Sequence, residues 1–278
     1  VAYEDFVRRN VPYVAPVTQA RLRQTRVLIA GCGIGSFAAE ALARLGCETF
    51  VLIDPDVVEL SNLNRQCFRE ADVGHLKVEA LAARLRSVRE SICVTALPVA
   101  IGPENAAACV AQADLVIDSV DLVSAAAVVA LHDAVRAAHK PAITLLNIGF
   151  GAGAMVFPAH HPVSFREAFG LPAQGSLVGT SYLSFFVPIL GRLAPYMDPR
   201  VSQALAPVLQ LMAEGKPCPA PQVATGVFAV AHLCAHLTTC LLAHEAVPVA
   251  PEFILYDPVK AIAASAISLG QTQAIAVA

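Results

Sequence analysis

Residues 26–54 read RVLIAGCGIGSFAAEALARLGCETFVLID, and their pattern decides the fold class. Arg26 to Ala30 is a short, mainly apolar run of strand length, and Thr49 to Ile53 is a second. Between them Ser36 to Leu45 repeats alanine and leucine at helical spacing. A helix joining two buried strands is a parallel βαβ unit, because parallel neighbours cannot be joined by a tight turn. The same alternation runs on through strands at 91–98, 114–119 and 141–146, with helices near 75–89, 103–111 and 122–139. The expected fold is therefore α/β, a doubly wound and mostly parallel Rossmann-like sheet covered on both faces.

After Asn147 the rhythm changes. NIGFGAGAMVF predicts a turn into an antiparallel strand, and residues 158–221 then hold 10 of the 19 prolines, together with Phe165, Phe169, Phe185 and Phe186. That stretch reads as a partly helical insertion. A long apolar helix from Gln222 to His244 and a strand from Phe253 to Tyr256 close the sheet. The expected organisation is one domain over 1–278: an N-terminal arm (1–25), a nucleotide-binding core (26–157), a crossover insertion (158–221), and a closing helix and strands (222–278). No internal repeat is visible.

Composition sets the outer bounds. With 278 residues, 56% of them hydrophobic and 15% charged, the chain can bury a large core, and disorder is excluded. A net charge of −3 gives no basic field of the kind that nucleic acid or an anionic membrane requires. A membrane span needs about 18 uninterrupted apolar residues. The nearest approach, Gln222 to Val247, carries His232, His236, His244 and Glu245 and reads as a buried helix. The opening VAYEDFVRRN has no apolar leader core, so a cytoplasmic protein is the expectation. The 8 cysteines include no C-x-x-C pair, so zinc is not expected and most thiols should be reduced and packed.

The chemistry begins at Gly31-Cys32-Gly33-Ile34-Gly35-Ser36, which leaves the first strand and opens a helix. Glycines there let backbone approach a phosphate, and the helix N-terminus supplies N–H groups and partial positive charge. Asp54 ends the next strand, where it can accept hydrogen bonds from ribose hydroxyls. Those two features fit a nicotinamide dinucleotide as readily as ATP. The dinucleotide fingerprint, however, asks for a third glycine where Ser36 stands. The segment Asp54-Pro55-Asp56-Val57-Val58-Glu59-Leu60-Ser61-Asn62-Leu63-Asn64-Arg65-Gln66, with Gly74-His75-Leu76-Lys77 after it, gathers cations that a triphosphate needs and a dehydrogenase does not. Further on, Asp114-Leu115-Val116-Ile117-Asp118-Ser119-Val120-Asp121 brings carboxylates to the end of the fourth strand, where one could hold Mg²⁺ against phosphates.

At these residues the sequence resembles the ThiF/MoeB/HesA family, the bacterial relatives of the ubiquitin-activating enzymes. The likeness lies in D-x-D followed by S-N-L-x-R-Q, in G-x-x-K, and in D-x-V-x-D-x-x-D; it covers 1–157 and returns at the closing helix and strand. It implies ATP-dependent adenylation of a carboxylate, with ATP and Mg²⁺ bound, pyrophosphate released and the acyl group passed to a nucleophile. By that resemblance Asp54 binds the ribose, Asn62, Arg65 and Lys77 contact the triphosphate, and Asp121 holds the metal, with Gly31, Gly33, Gly35, Asp56 and Gln66 completing the nucleotide site. It also implies a homodimer in which Arg9, or Arg8 beside it, reaches the other subunit's site, Arg9-Asn10 and Gln19 matching the family's N-terminal segment.

Three departures stand out. The family loop G-x-G-G-x-G is one residue longer than G-C-G-I-G, Leu122 stands where an asparagine usually follows the metal aspartate, and both zinc-binding C-x-x-C pairs are missing. The carboxylate therefore belongs to a protein or peptide C-terminus, a small carrier protein included, or to a small molecule. Cys218, between Pro217 and Pro219, is a candidate for covalent capture of the acyl group. Cys234 and Cys240 read as core. His232 and His236 lack a third metal ligand, His75 reads as helix surface, and His160-His161 as a turn. The alternatives are an NAD(P)-dependent oxidoreductase on the same sheet and a catalytically idle, ATP-binding partner protein.

Overall fold

The computed structural model describes residues 2–121, 125–175, 177, 182–214, 216 and 221–265. Helices α1 (Tyr3–Val7) and α2 (Pro16–Gln24) precede β1 (Arg26–Ala30), α3 (Gly35–Leu45) and β2 (Thr49–Ile53). Then come α4 (Lys77–Val88), β3 (Cys93–Leu97), α5 (Ala106–Ala111), β4 (Leu115–Asp118), α6 (Ala125–Ala137), β5 (Ala142–Ile148) and β6 (Gly151–Phe157). Helices α7 (Phe165–Ala168), α8 (Tyr182–Leu193) and α9 (Pro199–Ala213) lead to α10 (Ala224–Ala243), β7 (Ile254–Tyr256) and α11 (Pro258–Ser265).

The strands form one seven-stranded sheet in the order β3-β2-β1-β4-β5-β6-β7. β1 to β5 pair in parallel, and β6 and β7 join antiparallel, as the glycine-rich turn predicts. The direction of winding reverses between β1 and β4. In an open sheet that reversal leaves a crevice at the carboxyl ends of the strands, where ligands bind.

Each face of the sheet buries its own core. One packs Leu22 of α2, Leu42 of α3, Leu81 of α4 and Val230 of α10 against β1, β2 and β5. The other packs Cys109 of α5, Leu131 of α6, Leu190 of α8 and Val201 of α9. The 158–221 stretch thus contributes helices that lie on the sheet. Among the described residues α10 alone is long and apolar enough to cross a membrane; it packs on α3, β5 and β6, which accounts for its composition. Cys32, Cys47, Cys67, Cys109, Cys234 and Cys240 are buried free thiols and Cys93 is exposed.

Most elements end within one or two residues of the sequence reading, and a few points differ in kind. β5 runs on to Ile148 because Asn147 pairs with Ala152 in the hairpin ladder. Gly153 sits inside β6 because the Phe253 ring lies 2.2 Å from where a Cβ would stand. The sequence reading has no helix after β7, yet α11 forms there; Pro258 in its first turn and the alanines that follow are a recognisable helix start. The expected helix over 122–139 is described from Ala125 to Ala137, and residues 122–124 lie outside the described residues.

Candidate active site

The glycine loop occupies the β1/β4 crevice, held by backbone from three strands. Gly31 N donates to Ile53 O at 2.9 Å, and Ser119, just beyond β4, places Oγ 2.7 Å from Gly31 O. Gly31 has φ +87°, and a Cβ there would lie 2.4 Å from Ser119 O; at Gly35 a Cβ would lie 2.3 Å from Ser119 Oγ. Contact with Ser119 accounts for these two glycines whatever they also do for a ligand. Ser36, in place of a third glycine, is fully buried: its Oγ donates to Gly33 O at 2.7 Å and accepts from Cys67 N at 3.1 Å. The helix of α3 begins at Gly35, so its first-turn N–H groups and dipole face this crevice.

Asp54 fastens the loop to β2. Its Oδ2 accepts from Cys32 N at 2.7 Å and its Oδ1 from Asp56 N at 2.9 Å. Burial pushes the Asp54 carboxyl up, against the field of Lys77 and those two N–H donors. The D-x-D and G-x-x-K motifs meet because the chain folds back on itself. Val58 N donates to His75 O, Gly74 N to Val58 O, and Lys77 N to Asp56 O, with Val57 bridging Leu76. The bridge brings Lys77 Nζ to 2.7 Å from Asp56 Oδ2; the lysine is buried while the Asp56 side chain is 62% exposed.

Asn62, at the end of a 3-10 turn, accepts Glu59 N on Oδ1 at 3.1 Å, so its amide shapes the turn that carries Arg65 and Gln66. Arg65 is held at the rim: Nε donates to Gln222 Oε1 at 2.7 Å, and Nη1 to Ser61 O at 2.8 Å and Asn64 Oδ1 at 3.0 Å. Burial pulls the Arg65 guanidinium down, against the field of Glu59. Gln66 is buried beside Gly33, where a Cβ would lie 3.3 Å from Gln66 Nε2, and its Oε1 has no hydrogen-bond partner. A buried acceptor left without a donor costs about 1–3 kcal/mol. A hydroxyl or amino donor that reached this oxygen would remove that cost.

The structure gathers Gly31, Gly33, Gly35, Asp54, Asp56, Asn62, Arg65, Gln66 and Lys77 at one carboxyl edge. Asp121 is exposed in the segment after β4, three residues beyond Asp118. Among the described residues no group of three His, Cys, Asp or Glu side chains could hold a metal. A Mg²⁺ that arrives with phosphates needs only one or two carboxylates, so Asp121 suffices in kind. Cys218 lies outside the described residues.

Arg9 stands apart from this cluster. It is exposed in a 3-10 turn (Arg8–Asn10), and its neighbour Asn10 donates from Nδ2 to Gln19 Oε1 at 2.8 Å and to Leu45 O at 3.1 Å. Leu45 is the last residue of α3, whose first residue is Gly35. At 1.5 Å per residue, about 16 Å of helix separates Arg9's anchor from its own glycine loop.

Three features have no counterpart in the sequence reading. Gln222, just before α10, is the partner of Arg65. Both side-chain amide atoms of Asn147, near the end of β5, are buried without partners. Asp118, His132 and Thr144 form a buried polar cluster, whose His132 comes from an otherwise apolar helix face and carries no local signal.

A family model described as "ThiF family" matches residues 7–273. The sulfur carrier protein ThiS adenylyltransferase of Escherichia coli is 38% identical over 140 residues, 50% of this chain and 55% of that protein. The adenylyltransferase and sulfurtransferase UBA4 of Candida glabrata is 37% identical over 107 residues, 38% of this chain and 25% of that one. The structure of E. coli MccB with ATP superposes with a TM-score of 0.62 at 20% identity, over 87% of this chain and 66% of the other, a likeness of fold. These curated relatives are longer: the chain spans about half or less of their length, from 25% to 55%.

Proposed function

The chain belongs to the ThiF family, and from that premise we propose that it is a homodimeric, Mg²⁺-dependent adenylating enzyme that activates a carboxylate with ATP. The observation that carries the reading is the meeting, at the carboxyl edge of the sheet, of the glycine loop that opens α3, Asp54 hydrogen-bonded into that loop, and the buried Lys77 paired with Asp56 two residues further on. The relatives give no support to the nicotinamide alternative.

In this reading the substrate carboxylate attacks the α-phosphorus of ATP, the bond to the bridging oxygen breaks, and pyrophosphate leaves with that electron pair. A carboxylate is already nucleophilic and needs no general base, so positioning and charge neutralisation carry the rate. The α3 N-terminus and the glycine loop cradle phosphate oxygens. Lys77, buried, exchanges Asp56 for a phosphate, and Arg65, half-buried at the rim, exchanges Gln222. Asp54 keeps the loop fastened to β2 and offers its carboxylate to the ribose. Asp121 would hold a Mg²⁺, whose charge would offset that of the triphosphate. Arg9 of the second subunit completes the site. The carboxylate is the C-terminus of a carrier protein or peptide, or a small acid, and Cys218 is a candidate acceptor of the acyl group.

Calorimetry and pyrophosphate exchange test the reading together. The protein should bind Mg·ATP in preference to NAD, and should exchange labelled pyrophosphate into ATP with one class in a panel of Gly-Gly peptides, other peptides and small acids. Asp121→Ala should abolish exchange while sparing the fold. Tight NAD binding with undetectable ATP binding would sink the proposal.

A further inference from the structure

We propose that His132 is a positioning residue for the nucleotide site, acting through Asp118 on the turn that carries Ser119 and Asp121; the inference rests on the Mg·ATP reading above. Asp118 ends β4 with a carboxylate that does not face the crevice. Its residue is 1% exposed, and its Oδ2 lies 2.9 Å from His132 Nε2 and 3.2 Å from Thr144 Oγ1. Its Oδ1 accepts Val120 N at 3.2 Å, so the same carboxylate closes the turn after the strand. Thr144 is the β5 residue paired with Asp118 across the ladder, and its Oγ1 is also 2.9 Å from His132 Nε2. One assignment satisfies the carboxylate: Nε2 carries the ring proton toward Asp118 and the Thr144 hydroxyl donates to the same oxygen, with the Thr144–His132 approach left as a close polar contact.

The imidazole cannot swing away. Phe165 stacks on it at 4.3 Å between ring centroids, and Phe157 meets it edge-on at 5.0 Å. Its position on α6 is therefore transmitted to Asp118, and from there to Val120. Ser119 lies between them and forms one wall of the glycine loop, with its Oγ at Gly31 O and its carbonyl against the Gly31 backbone. Asp121 is the next residue after the turn. A displacement of Asp118 thus moves both the loop wall and the carboxylate assigned to the metal.

A packing role alone explains this cluster poorly. A buried polar cluster of this kind contributes little to stability compared with apolar side chains of the same size, and its best-attested use is to select one geometry. Here aromatic side chains surround it and would accept a Phe or Leu. The polar contacts are needed only if the Asp118 turn must sit in one place.

The test compares Mg·ATP affinity with the affinity for ATP in EDTA, by calorimetry, in His132→Phe, His132→Gln and the unaltered protein. His132→Phe keeps the ring stack and removes the hydrogen bond. Mg·ATP affinity should fall about tenfold, the scale for losing a group that orients a metal ligand, while metal-free ATP, which meets only the displaced loop wall, should lose distinctly less. His132→Gln, which returns an N–H near the Nε2 position, should restore most of the loss. Thr144→Val should shift the same ratio in the same direction and serves if His132→Phe does not fold. Equal loss of both affinities, or an unchanged Mg·ATP affinity, would overturn the inference while leaving the adenylation reading standing. An unaltered protein that binds no Mg·ATP overturns that reading instead, and the inference with it.

Discussion

The glycines of the loop look alike in sequence and differ in what they meet. Gly31 combines φ +87° with a Cβ position 2.4 Å from a backbone carbonyl, and backbone cannot move aside cheaply. Gly33 has no such strain, and its nearest neighbour is the end of the Gln66 side chain at 3.3 Å. Gly31→Ala should therefore lower stability by about 1–3 kcal/mol in urea unfolding. Gly33→Ala should leave stability within about 0.5 kcal/mol and, in the proposed phosphate-binding loop, still weaken ATP binding, since the added methyl group presses on Gln66. Equal loss of stability in the two variants would mean that Gly33, too, is there for packing.

Between elements, α3 is tied to α4 by Glu40. Its side chain is 8% exposed and receives Arg84 Nε at 2.8 Å and Arg44 Nη2 at 2.7 Å. Burial by itself would raise this carboxyl, but the Arg84 and Arg44 hydrogen bonds outweigh it and hold the group below its ordinary 4.5. A depressed folded value means that the stabilisation is present above the unfolded value and disappears as the pH falls through the folded one. Glu40→Gln should cost about 1–2 kcal/mol at pH 7. It should also flatten the loss of stability below the usual carboxylate range, as followed by unfolding from pH 7 to pH 3. An identical acid slope in both proteins would show that the bridge contributes no linkage. Because α3 carries the glycine loop on its first turn, the same substitution loosens the support of the site.

At the scale of the whole molecule, the distance from Arg9 to its own loop decides what Arg9 can do. Asn10 and Gln19 both donate to Leu45 O, which pins the N-terminal segment at the far end of α3. In the proposed homodimer an arginine there is free to serve the second subunit's site. Phe228 of α10, 54% exposed and in edge contact with Phe37 of α3, leaves apolar surface near the crevice that a second subunit can cover. Arg9→Ala and Asp121→Ala homodimers should each be nearly inactive in pyrophosphate exchange. Co-expressed, they should form mixed dimers with one site that has both groups, and on the order of a quarter of full activity should return. Mixed dimers as inactive as their parents would end the shared-site proposal.

The alternation of apolar runs and helical spacing was legible from residues 26–54 onward, as were the loop, Asp54 and the S-N-L-x-R-Q and G-x-x-K segments. These features obey demands that act over a few residues: the period of a helix or strand, the conformational freedom of glycine, and the charge that phosphate requires. What the tertiary structure alone decided are pairings between distant parts of the chain. Ser119 meets Gly31 across 88 positions and Arg65 meets Gln222 across 157. His132 finds Asp118 only because α6 packs over the β4/β5 ladder. The strand order that creates the crevice, and the far-end placement of Arg9, arise in the same way. Long-range packing chooses partners by shape and unmet hydrogen bonds, and these leave no periodic mark in the sequence.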